Sequence, residues 1–230
     1  MAKKNYVEKM FDNIAPTYDK LNHILSLNFD KCWRKKAVKR IKRVFPWNVL
    51  DVACGTGDMT IALRRAGAVK VTGVDISEGM LEVGRRKIRE LGLDNIELKV
   101  DDAENLSFDD CKFDAVSVAF GVRNFEHLEQ GLKEFHRVLT HGGLLCILEL
   151  SVPSNAVLRW LYKLYFLHVL PYIGGLISGD KEAYRYLPTS VMNFPKPEVV
   201  CDMLRRLGFS TVKARPLTFG LCRMYEAVKV

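Results

Sequence analysis

Between Val49 and Leu150 the chain alternates short, almost continuous apolar runs with stretches of helical periodicity, and few folds accept that pattern. The runs are VLDVAC, VKVTGVD, IELKV, FDAVSVAF and GLLCILEL, with helices expected from Asp58, from Ser77 and near Glu126. A strand that is apolar on both sides must be covered on both sides, so the pattern predicts a parallel sheet between helical layers. A further helix is expected near Pro197, a residue suited to a first helical turn. Two last strands, Thr211 to Leu217 and Arg223 to Val228, read as an antiparallel edge pair. The expected fold is α/β, seven strands with helices on both faces.

The flanking segments divide the chain into four blocks of one domain. Residues 1–45 are a helical N-terminal cap: Val7, Met10, Phe11 and Ile14, then Leu21, Ile24 and Leu25, then Trp33, Ala37, Val38 and Ile41 recur at helical spacing, with breaks at Pro16 and Pro46. Residues 46–150 are the alternating core. Residues 151–195, aromatic-rich and interrupted by Pro and Gly, read as a helical lid insertion, and 196–230 hold the last helix and strand pair. At 230 residues and 48% hydrophobic composition, one continuous core accommodates all four. The six cysteines, at 32, 54, 111, 146, 201 and 222, form no CxxC pair, so neither a zinc knuckle nor a dithiol site is expected.

The loop VLDVACGTGD lets a ligand approach the backbone closely after the first strand. A dinucleotide fingerprint needs a third glycine where Thr60 stands, and Asp58 occupies the helix entrance where a pyrophosphate would lie. A carboxylate there repels phosphate and suits a cationic ligand, of which S-adenosylmethionine is one. Asp75, about twenty residues past the glycine loop, stands where a carboxylate bonds a ribose, which NAD and S-adenosylmethionine both carry. Asp102 and Ala103, after the third strand, are placed to meet an adenine.

MFDNIAPTYDKLNHILS with Trp33 and Arg34 following, DVACGTGD, DISEGMLEVG, FGVRN, RVLTHGGLLCILELS and YRYLPTSVMNFP together resemble the ubiquinone/menaquinone biosynthesis C-methyltransferases. These are class I S-adenosylmethionine-dependent methyltransferases of Rossmann-like fold, and the likeness runs through nearly the whole chain. It implies cofactor contacts at Thr56, Asp75, Asp102 and Ala103, with Asp51, Gly55, Gly57, Ile76, Met80 and Ala119 along the same strand ends. It also implies S-adenosylhomocysteine as product, and it assigns Arg123 and Asn124 to orient a water or the acceptor's phenolate oxygen. Because arginine stays protonated, Arg123 is expected to stabilise charge rather than abstract a proton. Tyr18, Asn22 and Tyr184 are the expected acceptor-pocket residues, and no metal is expected, because a sulfonium methyl group is already activated. The family usually carries a glycine and a histidine where Asn28 and Asp30 stand here.

The net charge of +8 and the run RKKAVKRIKR, seven basic residues in ten, suit an anionic partner. No aromatic RNA platform or appended RNA module is readable, so a lipophilic quinol is the expected partner and nucleic acid is not. Methylation of another small lipid or phenolic acceptor is the alternative, and an RNA-modifying protein the more distant one. VLRWLYKLYFLHVLPYIGGLI, residues 157–177, has the length of a membrane span. Arg159, Lys163, His168 and Pro171 oppose that, each central charge costing about 2.5 to 3.5 kcal/mol, so the segment is expected to be an aromatic lid or interfacial stretch. The opening MAKKNYVEK contains no apolar signal region. A cytoplasmic protein in peripheral contact with the inner face of the membrane, and a homodimer, complete the expectations.

Overall fold

A computed structural model describes residues 2–165 and 181–230, and within them every side chain except those of residues 2, 3, 163 and 181–185. Residues 166–180 of the expected lid insertion lie outside the described residues. Three helices come first, α1 (Ala2–Ile14), α2 (Tyr18–Leu25) and α3 (Phe29–Lys42). The core follows as β1 (Asn48–Val52), α4 (Asp58–Arg65), β2 (Lys70–Asp75), α5 (Glu78–Glu90), β3 (Ile96–Val100), β4 (Phe113–Ala119), α6 (Leu128–Val138) and β5 (Leu139–Leu150). Helices α7 (Ala156–Leu164), α8 (Lys181–Asn193) and α9 (Pro197–Arg206) precede β6 (Phe209–Leu217) and β7 (Cys222–Lys229).

The seven strands form one sheet in the order β3-β2-β1-β4-β5-β7-β6. The first five are parallel and β6 and β7 form an antiparallel pair, as the sequence predicted, and β7 also runs antiparallel to β5, which places it between β5 and β6. The edge pair begins earlier than expected, at Phe209 and Cys222, because Phe209 is buried beneath α9 rather than placed in a loop. β5 also starts earlier, at Leu139, which pairs with Phe113 ahead of a register shift.

Alternation along the strands separates the two faces. Leu50, Val52, Val116, Val118, Leu145 and Ile147 pack under Leu132 and Phe135 of α6 and Val200 and Leu204 of α9. Val49, Val71, Ala115, Leu144, Cys146 and Leu148 pack under Trp33, Ala37 and Ile41 of α3 and Met59 and Leu63 of α4. Thus α3 buries its apolar stripe on the sheet and leaves Lys31, Lys35, Lys39 and Lys42 outside. Helices α1 and α2 lie over α5 through Met10, Ile14, Leu21, Leu25 and Met80. All six cysteines are free, Cys32 and Cys111 exposed and the other four buried. The order reverses between β1 and β4, and in a sheet of this kind that switch point opens a crevice at the carboxyl ends of the strands.

Candidate functional site

The crevice at the switch point spans about 720 Å³, the open solvent at its mouth included. Ala53 and Gly55 after β1, Asp75 and Ile76 at the end of β2, Asp101 to Glu104 after β3, and Ala119 to Gly121 at the end of β4 line it. Gly55 turns with φ +54°, and a side chain there would project into free space, so the bare backbone is part of the wall. Asp75 fixes this turn: its carboxylate accepts from Gly55 N at 2.8 Å and from Ser77 N at 3.0 Å. Burial pushes the Asp75 carboxyl up, against the pull of those amides. The two strand ends approach closely, and both Ala53 (φ +51°) and Phe120 (φ +64°) adopt left-handed backbone to make the turn.

Of the expected cofactor contacts, Gly55, Asp75, Ile76, Met80, Asp102, Ala103 and Ala119 line this crevice. Asp51, Thr56 and Gly57 do not line the crevice. Asp51 shares its strand face with Val49, under α4, where Thr60 Oγ1 donates to Asp51 Oδ2 at 2.6 Å. Burial raises its carboxyl to about 7. Thr56 instead donates its hydroxyl to Asp19 of α2. Asp58 does not line the crevice either. Lys87 stands 2.6 Å from its carboxylate, with His23 and Arg34 at 3.6 Å, and Arg34 and Lys87 hold the carboxyl below its usual range despite burial. The acidic residues of the crevice lining are Asp75, Asp101, Asp102, Glu104 and Glu126, and Lys4 is the basic one.

Sequence reasoning gave no role at the crevice to α1. Lys4, Val7 and Phe11 close its open side, and Lys4 pairs with Asp102. Asp12 docks the helix, its Oδ1 accepting from Ser77 Oγ at 2.6 Å and Gly79 N at 3.0 Å at the start of α5. The amphipathic spacing of Val7, Met10, Phe11 and Ile14 was the available signal, and it carried no information about which cavity the helix covers.

A second, larger cavity, with about 1280 Å³ of open space, lies under α2, α3 and α7. Its walls are largely apolar and aromatic: Phe29, Trp33, Phe120, Leu158, Tyr162, Tyr165 and Phe219 among others. Tyr165 Oη donates to Leu25 O at 2.8 Å and Trp33 Nε1 to Thr218 Oγ1 at 2.8 Å, and these bonds fix two of the rings that shape it. Tyr18 and Phe120 line both cavities. Arg123 and Asn22 face the second cavity, and Asn124 faces the first.

Arg123 is buried, its Nη1 2.8 Å from Glu149 Oε1, and its backbone amide donates to Glu149 Oε2 at 3.1 Å. Burial alone would lower the guanidinium, but Glu149 holds it above its ordinary value, so it stays charged. Burial pushes the Tyr18 phenol up, against the pull of Arg123 and Arg34. Tyr186 of α8 donates to Asn124 Oδ1 at 3.2 Å, whereas the side chain of Tyr184 lies outside the described residues. Asn28 occupies the left-handed conformation, φ +61°, that glycine favours and asparagine tolerates. Asp30, on the cavity wall, accepts from Ser26 Oγ at 2.6 Å, and His23 Nδ1 of α2 stands 2.7 Å from its carboxylate. Burial opposes ionisation of Asp30, but Ser26, Arg34 and His23 hold its carboxyl below the usual range.

The model of the ubiE/COQ5 methyltransferase family matches residues 1–229. The chain belongs to the ubiE/COQ5 methyltransferase family. A demethylmenaquinone methyltransferase of Bacteroides fragilis is 48% identical to this family member over 229 residues, covering 99% of this chain and 94% of that protein. The ubiquinone/menaquinone biosynthesis C-methyltransferase UbiE of Geotalea daltonii is 42% identical, with 99% and 97% covered. Solved structures share the fold at lower identity. The cyclase SpnF superposes with a TM-score of 0.74 at 17% identity, covering 98% of this chain and 96% of that one. A phosphoethanolamine N-methyltransferase of Haemonchus contortus in complex with S-adenosyl-L-methionine gives 0.62 at 16%, with 85% and 52% covered. This member of the ubiE/COQ5 family is an S-adenosylmethionine-dependent methyltransferase. No described helix is long and apolar enough to cross a membrane.

Proposed function

We propose that this chain methylates a ring carbon of a prenylated quinol precursor, a demethylmenaquinol-like naphthoquinol, from the cytoplasm and in peripheral contact with the inner face of the membrane. The observation that carries the reading is the meeting of two cavities at Tyr18 and Phe120, one at a sheet switch point with Asp75 and Asp102 in its lining, the other aromatic and apolar. The relatives' names support the acceptor class.

In the first cavity the open side of Gly55 and the Asp75 carboxylate fit an adenosyl group. Asp75 would take the ribose hydroxyls, Asp102 and Ala103 the adenine edge, and Ile76, Met80 and Ala119 would pack on the nucleoside. S-adenosylmethionine, when bound, supplies a methyl group on a positive sulfur. The chain's contribution is alignment of the acceptor carbon and stabilisation of the charge that develops on its phenolic oxygen. Arg123, fixed by Glu149, provides the positive charge; Asn124, held by Tyr186, orients a water or that oxygen. Tyr18 and Asn22 form the adjoining wall of the acceptor cavity. In this reading 1–45 and 151–195 cover one domain whose core, 46–150, holds the cofactor and whose 196–230 complete the sheet, and the domain assembles as a homodimer.

The test is incubation of purified protein with S-adenosylmethionine and either demethylmenaquinol or a ubiquinone-pathway benzoquinol, with products located by mass and NMR. Ring-carbon methylation of the naphthoquinol is expected. Tight cofactor binding with turnover of neither acceptor would overturn the reading in favour of another lipid or phenol.

A further inference from the structure

Helix α7 is apolar on two sides. Leu158 and Tyr162 turn inward and wall the acceptor cavity, while Val157, Trp160, Leu161 and Leu164 recur at i, i+3, i+4 and i+7 and face solvent. Their exposures are 67%, 64%, 48% and 46%. A helix of this kind is normally covered on both sides, and in a water-soluble setting such a stripe is a strong liability. The stripe continues into the cavity mouth: Leu161, Leu27 (72% exposed) and Phe219 (81% exposed) both line the cavity and stand open to solvent. Phe29, on the same rim, is followed along α3 by the outward lysines 31, 35, 39 and 42. An apolar rim around a cavity, an outward tryptophan and an adjoining row of lysines are the combination that an anionic bilayer surface complements.

We infer that the outward stripe of α7 and the rim Leu27, Leu161 and Phe219 insert into the headgroup boundary of an anionic bilayer, with the α3 lysines on the headgroups. The acceptor then passes from lipid into the aromatic cavity without crossing water. The apolar rim makes entry continuous with the hydrocarbon, and the lysines set the orientation of the sheet edge to the surface. The inference rests on the proposed lipophilic acceptor for its purpose, although the docking itself does not depend on it.

Sedimentation with phosphatidylcholine vesicles, with and without a third of phosphatidylglycerol, tests the surface. Binding is expected only to the anionic vesicles and should weaken as salt rises. The triple variant Val157→Glu, Trp160→Glu, Leu164→Glu should lose at least about tenfold in vesicle affinity. It should retain cofactor affinity and turnover of a tail-less acceptor in solution, since none of the three lines either cavity. In a Trp47→Phe background, Trp160 is the exposed indole, Trp33 being buried, and brominated lipid should quench it. Vesicle binding that is absent, unchanged in the triple variant, or accompanied by no quenching would overturn the inference. So would a native dimer that the triple variant converts to monomer, which assigns the face to a second copy. Failure of the methylation reading would show separately, as binding to vesicles without turnover of the tail-less acceptor.

Discussion

The Glu149 carboxylate holds Arg123 twice, at the guanidinium from 2.8 Å and at the backbone amide from 3.1 Å, and neither carboxylate nor guanidinium has appreciable access to solvent. Glu149→Ala leaves a buried guanidinium without its counter-charge, a loss of the order of 3–5 kcal/mol, and should lower the melting temperature sharply. Glu149→Gln keeps an acceptor atom and should fold, but with kcat reduced by about 10²-fold and cofactor affinity unchanged. Wild-type turnover in Glu149→Gln would remove Arg123 from the charge-stabilising role.

Asp51 makes stability depend on pH. Its carboxyl is raised by burial to about 7 from an unfolded value of about 4, so the native state holds a proton that the unfolded chain releases. Its contribution is complete below about pH 4 and is lost as pH rises through about 7, with a ceiling of the order of 4 kcal/mol. An asparagine side chain at this position mimics the protonated form and still accepts from Thr60. Urea unfolding should find Asp51→Asn more stable than wild type at pH 8, with the difference shrinking toward pH 4; a difference independent of pH would contradict the assignment.

Gly121 approaches Ala53 so closely that a methyl group added to it would lie 2.4 Å from the Ala53 Cβ. Gly121→Ala should therefore cost about 1–3 kcal/mol, because neither strand end can yield without moving its neighbour in the sheet. Adding Ala53→Gly removes the opposing methyl and relieves the left-handed φ of +51° at that position, and should restore most of the loss. A double-mutant cycle reads the coupling directly, and strict additivity would show that the clash is absorbed elsewhere.

Asp12 holds α1 across the open side of the switch-point crevice, the proposed cofactor site, through Ser77 and Gly79. Asp12→Ala removes two hydrogen bonds at a helix start, with an expected effect of about 1 kcal/mol on docking of α1. We expect S-adenosylmethionine to dissociate about fivefold faster, with little change in the melting temperature of the sheet core. Stopped-flow displacement measures the first and calorimetry the second.

Much of the core was legible before any coordinates. Ile96–Val100 and the start of α4 at Asp58 fall where apolar run and turn placed them, because a buried parallel strand and its glycine turn are local signals. The same locality brought Gly55, Asp75, Asp102 and Ala103 to one crevice, since each follows the carboxyl end of its strand. Asp51, Thr56 and Asp58 lie within the same motif, yet their side chains turn to Thr60, Asp19 and Lys87. Strand alternation and helices from distant segments decide that, and neither is written in the motif's spacing. Arg123 and Glu149, 26 positions apart, meet because β4 and β5 pair in parallel with Ala119 opposite Leu148.

The layer order, the glycine turn and the acids at the strand ends were all dictated by local sequence, because hydrophobic period and turn chemistry act over a few residues. It took the folded chain to establish that α1 lines the switch-point crevice, that two cavities share Tyr18 and Phe120, and that α7 turns part of its apolar surface outward. Those relationships depend on how helices far apart in the chain settle on one sheet, and packing of that kind fixes geometry that periodicity leaves open.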